Sequence, residues 1–310
     1  MGRGEGPVEG EMTILMSELG EAMHGENREK VASAMRRFTV EEVTGPEAFD
    51  AGYRLLDAQF GPVNEIERRE VLERWQARGS LSAEDAPVRA HYHMLLFREP
   101  DGRVAAVRDA FSAVDRESRR VVVLLSHSLV MPEARRTGVA ALLRAAPVIL
   151  ARRDAAAAGI AGAKTLLVAE MDPVVPGQSA TVVRLLSYAQ AGFRVVPPSS
   201  APYAQPDFRD LEALGAEAVP IPMMLVVRQV GAEARAELDW PDLEAILDGL
   251  AAIHLHSVQR AQLPEIRRNA LRYRPAGDEP PIALLQPRRE EDLAPLHRGV
   301  VLPHYPPAWR

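Results

Sequence analysis

A chain of 310 residues with 47% hydrophobic and 26% charged residues can build one large domain, or a domain with extensions, and reads as soluble and globular. Its formal net charge of −6 points away from proteins whose main partner is nucleic acid, so no nucleic-acid partner is expected. With no cysteine, it can have no disulfide framework, no thiolate metal site and no cysteine nucleophile.

The opening "MGRGEGPVEGEM" lacks an apolar core, so it does not read as a secretory signal, and disorder is expected up to about Glu11. Residues Met12 to Arg37 form either an amphipathic helix or a loosely attached arm. "FTVEEVT" (Phe38–Thr44) alternates as a strand does. Phe49, Tyr53, Leu56 and Phe60 follow at helical spacing up to Gly61-Pro62, and Ile66, Leu72 and Trp75 mark a second helix ending near Gly79.

Three strands follow, Val88–Phe97, Val104–Val114 and Arg120–Met131, with Asp101-Gly102 turning the first antiparallel onto the second and "VDRESRR" making the next hairpin. The apolar part of the third strand is broken by Ser126, His127 and Ser128 and is far short of the ~20 residues that span a bilayer. No membrane partner is expected, and the location is read as cytoplasmic.

At the end of that strand stands "LVMPEARRTGVAALL". A strand hands over to a helix through Arg135, Arg136, Thr137 and Gly138. A helix N-terminus has unpartnered N–H groups and a partial positive charge, and a glycine lets the backbone approach an anion closely. The stretch reads as a phosphate cradle.

The helix from Gly138 to about Ala158 carries Pro147, which should kink or split it. Lys164–Glu170 is a strand buried on both faces, Val182, Leu185, Leu186 and Ala189 mark a helix ending at Gly192, and Pro220–Val230 is a further strand. Asp239-Trp240-Pro241 starts a helix with Leu243, Ile246, Leu247, Leu250 and Ile253 on one face. The proline-rich end reads as an extended tail or strap.

The order strand, two helices, three antiparallel strands, cradle, helix, strand, helix, strand, strand resembles the GNAT acyltransferase superfamily. That family has a valine-ended fourth strand and then Arg or Gln, two residues, Gly, one residue, and Gly or Ala. Here Val130 ends the strand, and Arg135, Gly138 and Ala140 fill the three positions. A tyrosine four residues before a Gly-Phe pair is also common in the family, and Tyr188, Gly192 and Phe193 stand at that spacing. The resemblance covers roughly Phe38 to Val230. It implies a mixed α/β GNAT fold with a mostly antiparallel sheet flanked by helices, divided as residues 1–37 (N-terminal arm), 38–230 (acyltransferase domain) and 231–310 (C-terminal helical extension and tail).

The resemblance further implies acyl-CoA, most simply acetyl-CoA, as donor substrate. Its pyrophosphate would lie on the backbone amides of Arg135, Arg136, Thr137, Gly138, Val139 and Ala140, and its pantetheine arm along Leu129 and Val130. Tyr188 would protonate the leaving thiolate, or else be a core tyrosine. Many relatives carry Glu or His as base on the fourth strand, where this chain has Ser126 and Ser128, and Asn where this chain has Thr181. The base is thus open. Glu170 is one candidate, with a loop-capping role before Asp172-Pro173 as the other reading. His127, by the period of two, turns away from Ser126 and Ser128 as a packing histidine.

His91 with His93, and His254 with His256, lack metal-ligand company in the sequence, so no metal is expected. The acceptor is read as a primary amine on a small molecule or peptide, attacking directly in a ternary complex, and a homodimer is compatible with this reading. The alternative is a non-catalytic GNAT-like module that binds acyl-CoA as a sensor or assembly element. A dinucleotide-binding enzyme would need Gly-x-Gly-x-x-Gly after an early strand, which is missing.

Overall fold

The computed structural model describes residues 11–14, 16–19, 22, 28–83, 85–209, 211, 215, 217–255, 259–277 and 280–310. In chain order its elements begin with β1 (Glu11–Thr13), α1 (Met16–Leu19), α2 (Arg28–Met35), β2 (Thr39–Val43), α3 (Pro46–Phe60) and α4 (Arg69–Arg78). There follow β3 (Val88–Arg98), β4 (Val104–Asp115), β5 (Arg120–Val130), α5 (Val139–Ala157), β6 (Lys164–Met171) and α6 (Ser179–Gln190). The last third holds β7 (Arg194–Val195), β8 (Tyr203–Gln205), β9 (Ile221–Gln229), β10 (Glu237–Leu238), α7 (Trp240–His254), α8 (Leu263–Ala270), β11 (Ile282–Ala283) and α9 (Arg298–Val301). The expected disorder of residues 1–10 lies outside the described residues, as does His256.

One mixed sheet organises the chain, in the order β1-β2-β3-β4-β5-β6-β9-β7, with β8 also on β9. Every neighbouring pair is antiparallel except β5–β6. This is the mixed α/β architecture the sequence implied. The helix before the hairpins starts with Pro46 at its first turn and buries Phe49, Tyr53 and Leu56, one turn apart. The β3–β4 turn uses Gly102 at φ 86, a conformation that costs glycine nothing.

Strand β4 is buried along almost its whole length because both faces are covered. On one face Ser112 donates to Asp154 of α5. On the other, Phe111 meets Trp75 of α4 at 5.5 Å between ring centroids, and Ala113 lies under Gly249 of α7. The α5 face also holds a buried charge cluster. His93 directs Nδ1 to Glu42 at 2.7 Å and Nε2 to Asp154 at 2.9 Å. Burial alone would lower its pKa, but the two carboxylates prevail and raise it to about 9.

Three expectations change. Helix α5 runs unbroken through Pro147. The proline removes one hydrogen bond, at ~3 kcal/mol in an open helix. Here Leu142, Leu143, Ala146, Val148, Ile149 and Leu150 are all buried around it, and that packing holds the helix together. The proline-rich end is not an extended tail. It folds into short 3-10 turns that bury Leu293, Leu296, Tyr305 and Trp309, and the Tyr305 hydroxyl donates to the Met223 carbonyl at 2.7 Å. In the N-terminal arm, β1 adds a short antiparallel edge to β2.

Helix α7 is bound to the sheet at its first turn. Asp242, fully buried, accepts from Arg120 Nε at 2.9 Å and from Lys164 Nζ, the first residues of β5 and β6. Two cations offset the cost of burying one carboxylate. Further along, a Cβ on Gly249 would stand 2.8 Å from the Cβ of Val122 and 3.3 Å from that of Ala113, so glycine sets how closely α7 approaches. Gly249→Val should therefore lower unfolding stability by about 1–3 kcal/mol in urea titrations, as overpacking does. An unchanged midpoint would mean that α7 does not press on the sheet.

Candidate functional site

The parallel β5–β6 ladder runs only from Arg120↔Lys164 to Leu124↔Val168. Beyond Leu124 the two strands part. At the same height the β4–β5 register shifts, from Ala110↔Leu125 to Arg108↔Ser128, so that Ser126 and His127 together face Asp109. This is a β-bulge, and its extra N–H needs a partner. Asp109 provides it: Oδ1 accepts the His127 backbone N–H at 2.6 Å.

The bulge corrects the strict alternation read from the sequence. Ser126, His127 and Ser128 all line one cavity of about 420 Å³. His127 sends Nδ1 to Asp109 Oδ2 at 3.0 Å and Nε2 to the Glu65 carbonyl at 2.5 Å. Both partners are acceptors, so both ring nitrogens carry protons. Burial opposes that charge, but Asp109 and the Glu65 carbonyl outweigh it and hold the His127 pKa above its ordinary value. An imidazolium so engaged is no base.

Glu170, at the end of β6, lines the same cavity. Its Oε1 accepts from the Tyr203 hydroxyl and from His254 Nε2 at 3.2 Å, rather than from the Asp172-Pro173 turn. Glu67, in the loop between α3 and α4, is another wall residue. Burial raises its carboxyl to about 7, against the opposing pull of His254 and His127. Its carboxyl forms no hydrogen bond among the described residues.

Tyr188, on α6, borders this cavity too. Its hydroxyl oxygen accepts from Arg108 Nη2 at 3.1 Å, and the Arg144 guanidinium lies 5.6 Å over its ring. Burial pushes the phenol pKa up, but Arg108, Arg144 and Arg184 together bring it below its ordinary value. Because the oxygen accepts from Arg108, its own O–H remains available to a second partner. Arg108 is 2% exposed, and its Nε and Nη1 have no hydrogen-bond partner among the described residues, nor has Nε of Arg144.

A second cavity, of about 630 Å³, is lined by Val130, Arg135, Arg136, Gly138, Val139 and Ala140 with Ser187 and with Arg144, whose guanidinium lies over the Tyr188 ring. The cradle backbone alternates, with Arg136 at φ 63 and Gly138 at φ 91. Such alternation turns successive N–H groups inward as an anion-binding nest. Five consecutive N–H groups, those of Arg136, Thr137, Gly138, Val139 and Ala140, donate to no group among the described residues. The donor set suits a pyrophosphate.

Leu129 and Thr137 are absent from that cavity's wall. Met131 N–H donates to Ala105 at 2.9 Å, so by antiparallel alternation Leu129 faces β4 while Ser128 and Val130 present their backbone groups towards β6. Thr137 turns its hydroxyl back to the Ala134 carbonyl at 2.5 Å and contributes its N–H.

Sequence reasoning missed Glu67, His254 and Arg108. The Arg108-Asp109 pair did carry a signal, as two charges inside an otherwise apolar central strand. Glu67 sits in the charged run "NEIERRE", which looks like any solvated loop, and His254 comes from outside the region of resemblance.

No family model matches the chain, and no curated protein matches it. Solved structures do. The glucosamine N-acetyltransferase region of a fungal multi-domain beta-N-acetylglucosaminidase is 16% identical at a TM-score of 0.36, over 51% of this chain and 17% of that one. A GNAT-family acetyltransferase from Staphylococcus aureus is 10% identical (TM-score 0.35; 62% of this chain, 99% of that one). Spermidine N-acetyltransferase from Vibrio cholerae, solved with CoA and spermine, is 11% identical (TM-score 0.35; 64% and 99%). Superpositions this loose carry no argument about this chain. The described residues show a mixed α/β fold with a mostly antiparallel sheet flanked by helices. Among the described residues no helix is long and apolar enough to cross a membrane, and no group of three or more His, Cys, Asp or Glu side chains could hold a metal ion.

The Asp109–His127 pair gives a pH test. By NMR the His127 ring should titrate above 6.5 in the native protein. In Asp109→Asn burial acts without its counter-charge, and the midpoint should fall below that value. An identical midpoint in both proteins would dissolve the pair.

Proposed function

We propose that this protein transfers an acyl group from acyl-CoA, acetyl in the simplest case, to a primary amine that attacks directly in a ternary complex. The observation that carries the reading is the run of five open N–H groups from Arg136 to Ala140 in one cavity and a second, carboxylate-lined pocket that Tyr188 borders, with Arg144 of the first cavity over the Tyr188 ring. A helix N-terminus with such a nest favours a diphosphate. The unpaired edge at Ser128 and Val130 suits an amide-bearing arm that pairs as a strand does.

In this reading acyl-CoA supplies the thioester, and the chain supplies geometry and protons. The Val130 N–H faces the parted side of β5 and is placed to polarise the thioester carbonyl. We assign proton removal to Glu67: an acid near 7 is half ionised at neutral pH, where a general base works best. Glu170 was the candidate from sequence. Its carboxylate oxygen already accepts from Tyr203 and His254, an engagement that suits it to orient the amine. The amine nitrogen bonds to the acyl carbon, its proton goes to Glu67, the C–S bond breaks, and the thiolate takes the Tyr188 proton. Arg108 positions Tyr188 by occupying its oxygen and makes it the stronger acid. The alternative of a binding module without turnover drew on the lack of an acid on β5, and Glu67 supplies one from elsewhere.

Two variants test this reading. Acetyl-CoA at a hundredfold excess over Kd should stabilise the protein by about 2.7 kcal/mol, seen as a rise in Tm. Gly138→Val places a branched side chain at φ 91 inside the cradle, so the Tm rise should vanish while the free protein stays folded. A normal rise in the variant would remove the cradle assignment. Tyr188→Phe should lower kcat about 100-fold with acetyl-CoA affinity nearly unchanged. The native kcat should also decline on the alkaline side before the ordinary phenol pKa, because the acid must be protonated. Wild-type turnover in Tyr188→Phe, with chemistry rate-limiting, would reduce Tyr188 to packing.

A further inference from the structure

The amine-side cavity has two kinds of wall. Trp75, Phe111, Leu72 and Leu124 line it and are almost fully buried, so its inner part is hydrocarbon and aromatic ring. Its charged groups are mostly committed already. Asp109 is paired with His127 at 3.0 Å, and Glu170 accepts from Tyr203 and His254. Arg209 is held by Asp207 at 2.8 Å. Glu65, Asp172 and Arg184 are exposed at the rim, where water screens them. That leaves Glu67 as the half-buried carboxylate with no hydrogen bond among the described residues.

We infer that the acceptor is a hydrophobic monoamine: one ammonium group met by Glu67, carried on an aliphatic or aromatic body that lies against Trp75 and Phe111. This deepens the acyl-transfer reading and rests on it. A polyamine fits poorly, because its second ammonium would enter an apolar wall or approach His127, which is itself cationic. An unpaired charge in such a place is strongly disfavoured. A hydrocarbon chain gains by leaving water for the same surface. One amino group thus separates a good ligand from a poor one.

Hexylamine and hexane-1,6-diamine form the deciding pair, since they share a chain and differ by one ammonium. Binding of each to the full protein is measured by calorimetry, with and without CoA, beside 2-phenylethylamine and spermidine. Thiol release from acetyl-CoA is followed in parallel. Hexylamine and 2-phenylethylamine should bind and turn over at least about tenfold better than the diamine and spermidine, roughly 1.4 kcal/mol. Glu67→Gln keeps the side-chain shape and should weaken hexylamine binding about tenfold while acetyl-CoA binds as before. Equal or better use of the diamine or spermidine would overturn the inference, as would amine binding indifferent to Glu67→Gln. So would acetyl-CoA binding with no amine bound at all. Loss of acetyl-CoA binding in the native protein, with monoamine selectivity intact, would count against the acyl-transfer reading and leave the amine pocket standing.

Discussion

The parting of β5 from β6 after Leu124 and Val168 is the constraint on which the rest depends. Two parallel strands that stayed paired would close the sheet and leave no backbone edge for a ligand. The bulge at Ser126 and His127 stands where the pairing ends, and Asp109 holds it through the His127 N–H at 2.6 Å. A bulge bends and twists its strand, so β5 stays paired with β4 but parts from β6 at the height where the cavity opens. A buried carboxylate on β4 thereby holds the strand shape that opens the site.

The same opening divides the electrostatics. On the α5 side lie the N–H groups of the cradle and the guanidiniums of Arg108 and Arg144, which have no carboxylate partner among the described residues. On the α4 and α7 side lie Glu67 and Glu170. An anionic donor and a cationic acceptor would each meet the opposite charge. Helix α7 completes the second side. Asp242 fixes its start to the first residues of β5 and β6, and its last residue, His254, reaches Glu170. The segment beyond the region of resemblance is therefore part of the pocket wall.

Much of this was legible locally. Asp101-Gly102 set a hairpin, and Gly138 marked the strand-to-helix turn. Each of those signals lies within a few residues of its effect. The features that were missed depend on distant partners. The bulge at His127 exists because Asp109 lies on the neighbouring strand, and burial pushes the Glu67 carboxyl up to about 7 in a cavity whose wall includes His254, from beyond the region of resemblance. Pro147 stays inside a straight helix because the packing around it comes from the sheet. Alternation and propensity describe a strand or helix alone, and all three cases are decided by what covers it.

The most direct measurement is the chemical shift of the backbone amides from Arg136 to Ala140, followed by NMR as acetyl-CoA is added to the full protein. Amide protons that gain a charged acceptor move downfield, and these five should do so together, in a saturable manner, while amides on the outer turns of α3 stay in place. Saturating acetyl-CoA with those five resonances unmoved would contradict the account.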